Sequence, residues 1–150
     1  MVDPDNRRPV DFDRRREILE TLAGNSLTTM SEWRSGAVKL GVVYRLLQLR
    51  KELPDLFAKG SYEPIELPGD AHGRYIAFLR RNGEDAVVVA AWLGTPDTMP
   101  DASISLPTEL AGAEWLNVLA DTQAGNTLSA QSLLSDFPVA VLRSSRALTH

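Results

Sequence analysis

The stretch that decides the fold is 74-RYIAFLRRNGEDAVVVAAWL-93, two apolar runs meeting at Asn82-Gly83. Asn-Gly is the pair favoured in a two-residue type I′ turn, so the segment reads as a β-hairpin. Its second half, Ala86 to Leu93, is almost wholly apolar and therefore belongs in the middle of a sheet.

Working outward towards the C-terminus, further short extended runs follow. After a loop, "TPDTMPDA", come "SISLP", "EWLNVLA" and "FPVAVLR". Before the hairpin stands "SYEPIEL", where Pro64 suits an edge strand because it cannot donate to a ladder. Short strands punctuated by Gly, Pro, Asp and Asn predict an antiparallel β-sandwich over 61–150.

The texture upstream of Lys59 is helical. Asp11 is placed to cap a helix through "FDRRREILETLA", with Phe12, Ile18, Leu19 and Leu22 on its inner side. A second helix is predicted over 37-AVKLGVVYRLLQLRKEL-53, with Ser35 as its cap and Pro54 as its stop. Leu40, Val42, Val43, Leu46, Leu47, Leu49 and Leu53 fill about half its circumference, and Arg45, Gln48 and Glu52 share the other side. So wide an apolar arc predicts burial against more than one neighbour, with any uncovered part forming an exposed patch or a homodimer contact. The fold class is α+β, with helices over 1–60 and an all-β module over 61–150.

Composition excludes several functions. The chain has 150 residues, 43% of them hydrophobic, and a net charge of −4. Residues 1–60 balance to +2 and 61–150 to −6, so neither part offers the one-signed basic face that nucleic acid requires. With no cysteine there is no disulfide, zinc–thiolate site or thiol nucleophile. His72 and His150 are too few for a histidine metal site, and His72 reads as a loop residue. No metal and no cofactor is expected. The absence of a signal peptide or a long apolar run points to a cytoplasmic protein with no membrane partner.

The densest polar cluster is 1-MVDPDNRRPVDF-12. Asp3, Asp5 and Asn6 suit Asx-type turns, with Arg7 and Arg8 paired to nearby acids. Alternatively they form a sugar-binding loop, because carboxylates and guanidinium forks make paired hydrogen bonds to vicinal hydroxyls and the prolines reduce the ordering cost. Trp33, Trp92 and Trp115 lie in apolar or amphipathic contexts and read as packing; Arg14, Arg15 and Arg16 read as a solvated helix face. No Ser-His-Asp set, phosphate-binding glycine loop or metal-spacing motif is present.

"DPDNRRPVDF", "WRSGAVKL", "LLQLRKELPDLFAKGSYEPIEL" and "FPVAVLR", in that order, resemble the C-terminal part of the maltooligosyl trehalose synthases. These belong to the α-amylase family of retaining (β/α)8-barrel glycoside hydrolases. The resemblance implies that residues 1–60 are the last barrel loop and helices, with the barrel itself missing upstream, and that 61–150 are the β-sandwich that follows. It implies an isomerase reaction in trehalose biosynthesis, moving the reducing-end α-1,4 bond of a maltooligosaccharide to α,α-1,1. The catalytic carboxylates of that family arise upstream, so no catalytic residue is expected here and the chain alone is expected to be inactive. Arg7 and Arg8, then Asp3, Asp5 and Asn6, are the expected substrate contacts. The competing expectation is a free-standing carbohydrate-binding or interaction module, which exposed coplanar aromatics on a sheet face would favour.

Overall fold

The computed structural model describes residues 9–22, 36–68, 73–95, 98–110, 112–125 and 128–145. Three helices come first: α1 (Phe12–Leu22), α2 (Ala37–Glu52) and α3 (Pro54–Lys59). Then follow β1 (Glu63–Pro64), β2 (Tyr75–Asn82), β3 (Asp85–Trp92), β4 (Ser103–Ile104), β5 (Glu114–Asn117), β6 (Thr122–Ala124), β7 (Leu128–Ser129), α4 (Ala130–Leu134) and β8 (Val139–Ser145). Six strands form one antiparallel sheet in the order β1-β2-β3-β8-β5-β6, and β4 pairs with β7 in a separate ribbon. The chain is α+β, and its described strands close no barrel.

The hairpin forms as β2–β3, but its turn sits one residue later than Asn82-Gly83 suggests. Asn82 pairs with Asp85, so the loop is Gly83-Glu84. Gly83 has φ 61° while Glu84 is not among the residues of positive φ, the requirement of a type II′ turn rather than I′. The shift moves the pairing by two residues, so every side chain keeps its face. Tyr75, Ala77 and Leu79 lie opposite Trp92, Ala90 and Val88, all buried in the same core.

Two cores lie on the two sides of this sheet. One is built from Leu79, Val88, Ala90, Trp92, Trp115 and Leu142 under the β4–β7 ribbon and α4, which contribute Ile104, Leu128, Ala130 and Leu134. The other joins Val87, Val141 and Leu119 to Leu22, Leu49 and Leu56 of the helices. β3 supplies residues to both and is an interior strand, as its sequence predicts. Pro64 sits in the edge strand β1. Arg81 clamps that edge with two bonds to the Glu63 carboxylate, at 3.0 and 2.9 Å, and the Arg81 guanidinium with the Ser61 hydroxyl holds the carboxyl below its usual range.

Helix termini follow local chemistry. The Asp11 carboxylate accepts the Arg14 N–H at 2.9 Å, the expected cap of α1. Ser35 lies outside the described residues; the N-cap of α2 is Gly36, at φ 78° and with no side-chain bond. Pro54 ends α2 as expected and also begins α3, where its missing N–H costs nothing. α3 ends at Gly60, whose N–H reaches Leu56 O at 3.0 Å while Ser61 N–H reaches Arg81 O at 2.9 Å.

The apolar arc of α2 divides as its width predicts: Leu49 is buried, and Val42, Leu46 and Leu53 pack against the core shared with α1 and the sheet. Beside Leu49, Arg45, Gln48 and Glu52 border a cleft against the sheet. Arg45 Nη1 donates to Val118 O at 2.8 Å, and Arg143 Nη1 meets Glu52 Oε2 at 2.6 Å. Val42, Leu46 and Leu53 are half-buried, whereas Val43 and Leu47, the uncovered part of the arc, stay 45% and 58% exposed. Arg45 reaches the β5–β6 turn, whose Val118 carbonyl needs a donor where it meets the helix.

Gly60 is the tightest joint between helices and sheet. A Cβ there would stand 2.4 Å from Leu56 O and 3.0 Å from Arg81 O, both backbone atoms unable to move alone. Gly60→Ala is therefore expected to destabilise the chain by about 1–3 kcal/mol in urea unfolding. An unchanged midpoint would show that α3 does not need this approach to β2.

Candidate functional site

Arg7, Arg8, Asp3, Asp5 and Asn6, the expected sugar contacts, lie outside the described residues, as do Trp33, His72 and His150. α1 begins at Phe12, where that polar stretch ends. Val10 and Phe12 are 43% and 70% exposed, on either side of the buttress formed by the Asp11 cap.

Along α1 the three arginines divide. Arg14 pairs with Glu17 at 3.4 Å and Arg16 with Asp13 at 3.0 Å, both exposed pairs three residues apart. Such pairs contribute little stability, about 0–1 kcal/mol, which fits the solvated face read from the sequence. Arg15 instead lines a groove between α1 and α2 with Ile18, Gly36, Lys39, Leu40 and Val43, about 410 Å3 in volume. Its floor is apolar and its rim carries two cations. Among the described residues no carboxylate lines the groove.

A second cleft, about 200 Å3, follows the seam where Arg45 and Glu52 of α2 meet Leu116, Asp121 and Arg143. Among the described residues Arg143 Nε is buried there without a partner, and the charges of the seam are mixed. Nothing in the sequence marked Arg45 as a seam residue, because its partner is a backbone carbonyl 73 residues away. Among the described residues no cluster of three or more His, Cys, Asp or Glu is placed to hold a metal ion, and no helix is long and apolar enough to cross a membrane.

The aromatic residues are mostly structural. Trp92 and Trp115 are 5% and 1% exposed, as the packing reading requires, and Trp92 Nε1 donates to Thr95 O at 2.9 Å. Tyr62 is exposed, but its ring meets Phe78 at 5.0 Å and 33°, so the two rings stack on each other and form no coplanar platform.

No family model matches the chain. It is 33% identical over 143 residues to a protein of Mycobacterium tuberculosis named "Putative maltooligosyl trehalose synthase", matching 95% of this chain and 16% of that protein. The same match recurs in a second strain of that organism. Among solved structures, the maltooligosyltrehalose synthase from Arthrobacter ramosus superposes with TM-score 0.74 at 32% identity, over 97% of this chain and 18% of that one. A further maltooligosyl trehalose synthase crystal structure gives TM-score 0.69 at 26% identity, again over 97% and 18%. The chain thus spans about a sixth of the length of the relatives it matches.

The joint between the polar stretch and α1 rests on Asp11. Asp11→Ala is expected to cost about 0.5–2 kcal/mol of local stability, read as faster amide exchange confined to the first turn of α1. Equal exchange in the two proteins would remove the cap from the account.

Proposed function

Because this chain corresponds over most of its length to a small part of the maltooligosyl trehalose synthases, we propose that it works as a segment of such an enzyme. The carrying observation is a match along 97% of the chain with a TM-score of 0.74 and 32% identity. In this reading residues 1–60 close a (β/α)8 barrel and 61–150 form the β-sandwich that packs beside it. Exposed Val43 and Leu47, with the groove between α1 and α2, then face the remainder of the barrel rather than a second copy of the chain.

The reaction is an intramolecular transglucosylation. A carboxylate attacks the terminal glucosidic bond of a maltooligosaccharide and an acid/base carboxyl protonates the leaving oxygen, the two lying about 5–5.5 Å apart as in other retaining enzymes. The released glucose is held, turned, and attacks the glycosyl-enzyme through its anomeric hydroxyl, giving the α,α-1,1 bond. Both carboxyls belong to the rest of the enzyme. Arg7 and Arg8, supported by Asp3, Asp5 and Asn6, hold the sugar in the acceptor subsite, where retention sets the effective concentration. A barrel strand end is where such a loop would stand, since that face carries the active site in this fold. The tilt of Tyr62 against Phe78 gives no support to a free-standing carbohydrate-binding platform.

Grafting this chain in place of the matching segment of the Arthrobacter ramosus enzyme tests the proposal. The chimera is expected to convert maltopentaose to its trehalose-ended isomer, while the isolated chain neither isomerises nor hydrolyses it. A folded chimera no more active than the enzyme with that segment deleted would overturn the reading, as would turnover by the isolated chain. In the active chimera, Arg7→Ala or Arg8→Ala removes a charged hydrogen bond worth about 1.5–3 kcal/mol. Glucose retention should fall about ten- to a hundredfold, and the ratio of hydrolysis to isomerisation should rise. A wild-type product ratio in both variants would assign these arginines to local pairing with the aspartates.

A further inference from the structure

β2, β3 and β8 lay out their helix-side residues in rows, and the helices cover these rows unequally. Tyr75, Ala77 and Leu79 belong to the core under the β4–β7 ribbon, so alternation puts Ile76, Phe78 and Arg80 on the helix side. The register aligns Arg80 with Val87 and Arg143, Phe78 with Val89 and Val141, and Ile76 with Ala91 and Val139. In the first row Arg80 donates to the carbonyls of Phe57, Gly60 and Ser61, at 3.3, 3.0 and 3.2 Å, where α3 ends. Arg143 of that row pairs with Glu52 of α2, and Val87 between the two arginines is buried.

Cover fades from there. In the second row Val141 is buried, but Phe78 and Val89 are half-buried. In the third, Ala91 and Val139 are half-buried and Ile76 is 46% exposed. The ladder runs one step further, where the Leu93 N–H meets Arg74 O at 2.9 Å, and the same alternation brings Leu93, 63% exposed, to this side. A lone exposed apolar residue is ordinary, but Ile76, Ala91 and Leu93 are neighbours on one face. Rows two residues apart lie roughly 7 Å from each other and three strands span about 10 Å, so the bare strip covers on the order of 100 Å2. A stable dimer needs about 800 Å2 from each partner, so the strip alone cannot hold a second copy. It is the uncovered margin of a larger interface, whose other rows α2 and α3 already occupy.

We propose that the strip formed by Ile76, Ala91 and Leu93 is a docking face for the remainder of the transglucosylase. Its occupant is an uncharged, apolar surface about one helix wide, in the same layer as α2 and α3. A helix with its side chains is about 10 Å across and packs about 8–10 Å from its neighbour, which matches the strip left beside the existing helices. This inference rests on the segment reading above, since the layer that covers the first two rows belongs, on that reading, to the barrel.

The chain has no cysteine, so a single introduced thiol reports on its own site. In the isolated chain Ile76→Cys and Leu93→Cys should react with iodoacetamide about as fast as Glu84→Cys in the exposed hairpin turn. In the chimera with the Arthrobacter ramosus enzyme both should react about tenfold more slowly or less, read by mass spectrometry of the peptide carrying each thiol, with Glu84→Cys unchanged. An active chimera labelled at full speed at 76 and 93 would overturn the docking face and leave the segment reading standing. A folded but inactive chimera would overturn that reading and this inference with it. Slow labelling in the isolated chain would also overturn it, in favour of a second copy if dilution restores the rate and of cover by the chain itself if dilution does not.

Discussion

Val88 and Ala90 of β3 point into one core and Val87 into the other, so this strand must be shielded from water on both faces. Each fully buried valine contributes about 1.5–3 kcal/mol relative to exposure, and the two β-side neighbours of β3 cannot cover either face themselves. One cover is the β4–β7 ribbon with α4; the other is the helix layer. Removing either would present a near-continuous apolar strand to solvent, the condition under which sheets associate wrongly. The helices are therefore part of the sheet's own burial, and a boundary drawn at residue 60 divides a shared core.

The seam between helices and sheet combines polar contacts with this apolar one. The Glu52–Arg143 pair is close, at 2.6 Å, but its side chains are 54% and 37% exposed, so it adds only about 0–1 kcal/mol. Arg143 Nε, buried with no partner among the described residues, works against it by an amount of the same order or larger. Leu49 and Leu56 against Val87 and Val141 hold the layers together. Leu49, with Val42, Leu46 and Leu53, sets which side of α2 turns inward. That choice leaves Val43 and Leu47 pointing away from the sheet.

Much of this was legible in the sequence, and the misses have identifiable causes. The hairpin, the interior position of β3, the edge position of Pro64 and the Asp11 cap are local patterns, and each is found. α3 does not show in the sequence reading because Pro54 there serves only as a stop, although Pro favours the first position of a helix. β6, β7 and α4 span three, two and five residues, too short for any period to show. For α4 a signal existed: Ser129 accepts the Ser132 N–H at 3.2 Å, a serine cap ahead of an apolar pair. Arg45 and Asn117 carry no mark in the sequence, because their roles depend on backbone groups at the β5–β6 turn, which no spacing rule reveals. The opening loop carried the family resemblance, yet its residues 1–8 lie outside the described structure, so its role rests on chemistry and kinship.

If β3 binds both layers into one unit, the whole chain must lose its structure together. Residue-resolved urea unfolding tests this, with the Leu56 amide reporting the helix layer, the Val88 amide the central strand, and the Trp115 indole the opposite core. The account predicts one midpoint for all three. Loss of the Leu56 signal at lower urea, with Val88 and Trp115 unchanged until a second transition, would contradict it.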